Sequence, residues 1–278
     1  MPPIPSMSVQ SLLEHPLLGL RRAEQIQGCP RSCEGASKAE CDEEKALSWL
    51  VEGGVHEWFY PSAWDGPGAV SRGGDWHGPL TLLAALVHRR CRYVKQVQTI
   101  WIGRKCWPTL QLLYAVLSEH GRYSVERVLS RCLFLDPLSV DERCWAMSQA
   151  LRCPGIAVVV ADGSGLNTVM SRRVQLAAEA GRGLGLLARP QWEESEASWA
   201  ASRWRVHALY SDSMQPRWAM ELVSSKRQPG REVPRRWIVN WSYEVTYGSG
   251  ALHLSPAVGS GMDSAQETRG KAPDARIA

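Results

Sequence analysis

Phenylalanine is almost missing from this 278-residue chain, with two residues against thirteen tryptophans, and lysine is scarce, with six against 26 arginines. The formal net charge is only +4, which excludes reading the chain as a nucleic-acid binder from charge alone. There is no run of eighteen apolar residues, and the first twenty residues lack a basic start followed by an apolar core. Neither a membrane-spanning helix nor a secretory signal is therefore expected, and a cytoplasmic protein is. The eight cysteines read as reduced thiols, not a disulfide framework. Cys91, Cys106, Cys132, Cys144 and Cys153 fall in or beside apolar patterns and are expected to act as small core residues. Cys29, Cys33 and Cys41 lie in a polar segment without the spacing of a zinc knuckle, so no metal site is expected there.

What the chain does have is a strong repeat of structure between Cys132 and Pro190. Three apolar runs, Cys132–Leu135, Ile156–Ala161 and Leu184–Ala188, are separated by two segments with helical spacing, the sequence form of a strand–helix–strand–helix–strand unit. In the first segment Val140, Cys144, Met147 and Leu151 share a face, and Ser139 with Glu142 predicts a capping box. The second, about Thr168 to Gly181, is expected to turn Val169, Val174, Ala177, Ala178 and Gly181 inward, with Arg172, Gln175, Glu179 and Arg182 on the other side. Ile156–Ala161 lacks polar alternation, as a strand covered on both faces should. It runs into Asp162-Gly163-Ser164-Gly165. Ligands of open α/β sheets bind beyond the carboxyl ends of the strands, so Asp162 stands where a metal-orienting acid belongs. It also stands where an aspartate would cap a turn before glycines, and both readings remain open.

Upstream, Ser11 to Leu20 reads as an apolar docking segment interrupted by Pro16, followed by a polar linker over 28–45 and a short helix including Ala46, Leu47, Trp49 and Leu50. Val55–Phe59 is expected to be the first strand of the sheet. After it come a Gly/Pro/Ser-rich loop and an apolar helix from Leu80, the setting of a phosphate-binding loop. Gly68 to Asp75 keeps the Gly-x-x-x-x-Gly outline of a Walker A loop through Gly68 and Gly73. The two positions that perform the chemistry are changed, with Gly74 in place of the lysine and Asp75 in place of the hydroxyl that binds magnesium. Nucleotide binding through Gly68, Gly73, Gly74 and Asp162 stays open, and ATP hydrolysis is not expected. Thr99–Gly103 reads as the next strand, with a helix from Thr109 to about His120. Arg104 and Lys105 at that strand's end either face a ligand or are solvated charges.

Beyond Pro190 the pattern changes to three closely spaced strands, Ser202–Leu209, Arg217–Ser224 and Arg235–Ser242, as in an antiparallel meander added to a parallel core. Each carries Arg beside Trp: Arg203-Trp204-Arg205, Arg217-Trp218 and Arg235-Arg236-Trp237. Tryptophans interleaved with guanidinium groups suit single-stranded nucleic acid, where bases stack and phosphates are neutralised. The alternative is Trp packed inward with Arg on the solvent side. The tail from Gly248 is poor in large apolar residues and is expected to be disordered. The resulting division is an N-terminal helical segment and linker over 1–52, one α/β domain over 53–247, and the tail over 248–278.

Several stretches, HEWF at 56–59, WIGRKCWP at 101–108, WAMSQALRCPGIAVVVADGSGL at 145–166, SRRVQLAAEAG at 171–181 and the late RWRV and RW strands, resemble the ImuA group of RecA-like proteins. These are accessory factors encoded beside a Y-family polymerase-like protein in bacterial damage-induced mutagenesis cassettes. The resemblance covers about Val55 to Trp241. It implies a RecA-like core, a mostly parallel sheet flanked by helices with an antiparallel C-terminal extension. It further implies contacts with RecA or an ImuB-type polymerase homologue in translesion synthesis, with Asp162 at the Walker B position and Arg189 where a nucleotide-sensing residue often sits. Without the Walker A lysine the chain looks like a motor core kept as a scaffold. Two other functions remain as alternatives: a divergent ATPase whose lysine comes from Lys105 or a neighbouring subunit, and a single-stranded DNA-binding module. Arg173, in the apolar arc of its helix, is expected either to pair with Asp162 or to snorkel to the rim.

Overall fold

The computed structural model describes residues 53–61, 76–93, 98–117, 126, 129–209, 216–226, 236–244 and 249–256. The apolar segment 11–20, the helix around 46–50, Cys29, Cys33, Cys41 and the phosphate-loop residues Gly68, Gly73, Gly74 and Asp75 lie outside the described residues.

Among the described residues nine strands form one sheet in the order β3-β2-β4-β5-β1-β6-β7-β8-β9. They are β1 Gly54–Tyr60, β2 Gln98–Ile102, β3 Cys132–Leu135, β4 Ile156–Asp162, β5 Leu184–Pro190, β6 Ser202–Leu209, β7 Arg217–Ser225, β8 Arg236–Glu244 and β9 Ser249–Pro256. The first six are mutually parallel and the last three run antiparallel to their neighbours. Four helices are described: α1 Leu80–Tyr93, α2 Leu110–Leu117, α3 Val140–Arg152 and α4 Thr168–Gly181.

The two-residue period of the strands sorts side chains between two apolar layers. Val158, Val160, Leu186, Trp58, Trp101 and Trp204 join α1 and α2 on one face. Val159, Ala161, Leu187, Val55, Ile100 and Ile102 join α3 and α4 on the other. The unbroken apolar run of β4 is thus explained by burial on both sides.

Local signals account for most of the boundaries. The capping box opens α3, with Ser139 Oγ accepting from the Glu142 amide at 3.1 Å and Glu142 Oε2 accepting from the Ser139 amide at 3.3 Å. Asn167 caps α4 through the Met170 amide. The end of α4 touches α3 so closely that a Cβ at Gly181 would run into the Leu151 carbonyl oxygen.

Four expectations need correction. Val169 is 77% exposed, because it lies five residues, about 140° of helical rotation, from the buried Val174. Gln175 is buried, since its Oε1 accepts from the Val55 amide at 3.0 Å where β1 begins. Cys153 is exposed at the C-cap of α3. Ser249–Pro256, read as part of a disordered tail, pairs with β8 as β9. Its small residues carry little apolar signal, and pairing with an existing edge supplies the order.

Candidate functional site

The carboxyl ends of β1, β2, β4 and β5 lie side by side, and four residue groups converge there. Asp162, 5% exposed, ends β4. Its Oδ1 accepts from the Ser164 amide at 2.9 Å and the Ser164 hydroxyl at 2.6 Å, so the carboxylate closes the turn that follows it. Its Oδ2 faces Arg143 Nε of α3 at 4.0 Å, while Arg143 Nη2 donates to the Ser164 carbonyl at 2.7 Å. Of the two readings of Arg173, the structure agrees with the rim position, since Arg173 is exposed and the cation facing Asp162 is Arg143.

Gly103, at the end of β2, packs against the same carboxylate. Its φ is 85°, and a Cβ there would come within 2.8 Å of the Asp162 Cβ. Gly103→Ala thus meets a left-handed backbone and a steric clash together. Loss of about 1–3 kcal/mol in urea unfolding is expected; an unchanged midpoint would show that the β2 end is loosely packed.

Cys106 is buried beside this turn. Burial, then the Asp162 carboxylate, pushes its thiol well above the usual range, which makes it a poor nucleophile. Arg104 is exposed and donates to Asp136 at 2.6 Å, and Lys105 lies over the Trp76 ring at 5.0 Å. At the start of α1 the Leu80 amide donates to the Gly78 carbonyl at 2.8 Å, so one amide that could cradle an anion is already used.

Arg189, at the end of β5, is fully buried. It donates to Glu57 at 3.0 Å, to Glu193 at 2.9 and 2.8 Å, to Glu196 at 2.7 Å and to the Leu166 carbonyl at 3.2 Å. Burial opposes its charge, but Glu57 and Glu193 outweigh that and hold the guanidinium above its ordinary value. Glu57 also accepts from Arg203 at 2.9 Å and from Ser198 at 2.7 Å. Glu193 accepts from the Gly165 amide at 2.9 Å, and burial keeps its carboxyl above the ordinary value despite Arg189. The network pins the 191–201 crossover, which joins β5 to β6, across β1 and onto the turn after Asp162. Glu57, Glu193 and Ser198 were not foreseen as members. The signal was the carboxylate at the centre of the buried row Val55-His-Glu-Trp-Phe, which demands a charged partner.

The Arg–Trp strands resolve in favour of inward tryptophans. Trp204 is 1% exposed, stacks on Trp58 with centroids 5.8 Å apart, and donates to Ser202 Oγ at 2.8 Å. Trp218 and Trp237 are buried as well. No face of Trp204 or Trp237 is offered to a base, because the meander needs them as core against α1. The guanidinium groups lie on the opposite face, where Arg203 pairs with Glu57, Arg205 with Glu194 and Glu221, and Arg236 with Glu221. Arg217 is exposed.

Among the described residues no group of three or more His, Cys, Asp or Glu is placed to hold a metal. Asp162 Oδ1 is taken up by Ser164, Oδ2 has Arg143 Nε at 4.0 Å, and Arg189 is enclosed by carboxylates. No helix among the described residues is long and apolar enough to cross a membrane.

No family model matches the chain, and no curated protein matches it. Among solved structures it is similar to the crystal structure of the RadB recombinase, with a TM-score of 0.50 and 11% identity, covering 74% of this chain and 94% of that one. At that identity the likeness concerns the fold. A parallel core flanked by helices, followed by antiparallel C-terminal strands, together with this likeness, identifies the described part of the chain as a RecA-like fold.

Proposed function

We propose that this protein is a non-hydrolysing RecA-like accessory factor of DNA repair that acts in damage-induced translesion synthesis through contacts with RecA, an ImuB-type polymerase homologue, or both. The observation that carries the reading is the use made of Asp162. An acid at the end of the central strand would orient a metal in a working motor, but here it accepts from Ser164 and faces Arg143. The sequence of the phosphate loop points the same way, with Gly74 and Asp75 in place of lysine and hydroxyl. The resemblance of 56–59, 101–108, 145–166 and 171–181 to the ImuA group supplies the repair context.

The test pairs purified full-length protein with RecA and with the ImuB-type homologue, and measures damage-induced mutation in cells lacking the gene. Capture of at least one partner and a fall in mutation frequency are expected. Binding to neither, with mutation unchanged, would overturn the proposal. A divergent ATPase is the second reading, favoured by Lys105, whose ammonium lies over Trp76 at the carboxyl end of the sheet.

A further inference from the structure

α3 and α4 lie side by side and run in the same direction, since each returns from the carboxyl end of one parallel strand to the amino end of the next. The Cys144 thiol of α3 donates to the Met170 carbonyl of α4 at 3.9 Å. Side chains lean toward the amino end of a helix and carbonyls point to its carboxyl end, so this contact sets Asp141 level with Val169 and Trp145 level with Arg173. These four residues line an open groove of about 540 Å³ between the two helices. Trp145 is 57% exposed and Val169 77%, and Asp141 and Arg173 are exposed as well.

The third charged residue of the groove, Glu142, is occupied by the capping box of α3. Among the described residues neither Asp141 nor Arg173 forms an ion pair. The two charges therefore stand on one diagonal of the groove, acid on α3 and base on α4, and the two apolar side chains stand on the other. This arrangement is complementary to itself. A twofold axis lying in the surface along the Trp145–Val169 diagonal turns Asp141 of each copy onto Arg173 of the other, and sets Trp145 on Trp145 and Val169 on Val169. A partner of a single charge sign would leave either the acid or the base facing its like. Leu138, 92% exposed just before α3, and Leu176, 50% exposed two turns beyond Val169, continue the apolar surface on either side.

We propose that the groove between α3 and α4 is the contact surface of a twofold dimer of this chain, with Trp145 on its axis and two reciprocal Asp141–Arg173 ion pairs. An exposed tryptophan flanked by charges of both signs has the composition of an interface anchor with a polar rim.

Sedimentation velocity of the full-length protein over a range of concentrations tests this. A reversible dimer is expected, and Trp145→Ala is expected to raise its dissociation constant about tenfold or more. Asp141→Arg and Arg173→Glu each set like charges against one another in both pairs, and each is expected to leave monomers. An equimolar mixture of these two variants is expected to dimerise again. Each pair in the mixed dimer then joins opposite charges, and the recovery shows that both variants are folded. A monomer at every concentration would overturn the proposal and assign the groove to a different protein. Dimers indifferent to both charge reversals, or a mixture that stays monomeric, would overturn it too. So would growth beyond two copies, since a twofold contact closes on itself.

Discussion

Arg189→Ala is expected to destabilise the protein by about 3–5 kcal/mol at neutral pH, because it leaves the buried Glu193 without its counter-ion and the buried Glu57 with Arg203 alone. The cost exceeds that of an ordinary ion pair for a definite reason. Arg189 meets three carboxylates and the Leu166 carbonyl with no exposure of its own, so neither water nor rotation can compensate. Arg236→Ala is the contrast, since its pair with Glu221 lies at a side chain 64% exposed and is worth no more than about 1 kcal/mol. The deficit of Arg189→Ala should shrink on acidification. Glu193 has a folded-state carboxyl raised above 4.5 by burial. A raised value means the folded state holds that proton more firmly than the unfolded chain, so its contribution is present below pH 4.5 and is lost as pH rises through the folded value. Urea unfolding of both variants at neutral and acid pH measures this. A loss under 1 kcal/mol for Arg189→Ala would mean that water reaches the network.

Trp204→Ala is expected to cost about 3–5 kcal/mol of stability. The ring is 1% exposed, stacked on Trp58, and its N–H is bonded to Ser202. Truncation would leave a cavity between the parallel core and the meander, where β6 pairs with both β1 and β7. Any loss of single-stranded DNA binding in this variant would accompany loss of fold. The proper probe of a nucleic-acid role is Arg217→Ala, an exposed change expected to move stability by less than about 0.5 kcal/mol. Thermal unfolding with a binding titration at two salt concentrations separates the effects. A stable Trp204→Ala protein that had lost DNA binding would restore the stacking-platform reading.

The parallel core was legible because its signals are local. An unbroken apolar run and a Ser–x–x–Glu cap each act within a few residues, and the strands and α4 begin and end near where the sequence places them. What was not legible depends on long-range partners. Glu57, 132 residues from Arg189 and 146 from Arg203, gives no sign in sequence of which cations it meets. Asp162 could orient a metal or cap a turn, and only the approach of Arg143 and Ser164 decides how its oxygens are used. The Arg–Trp pairs could face either way, because alternation assigns residues to opposite faces without saying which one carries α1. β9 was missed for the same reason, since an edge strand of small residues is ordered by its neighbour.

The central claim, a motor fold kept without its motor, is tested most directly by ATP turnover of the purified full-length protein with and without single-stranded DNA. The account predicts no turnover above background in either condition, and no change on Asp162→Asn. DNA-stimulated turnover abolished by Asp162→Asn would contradict it.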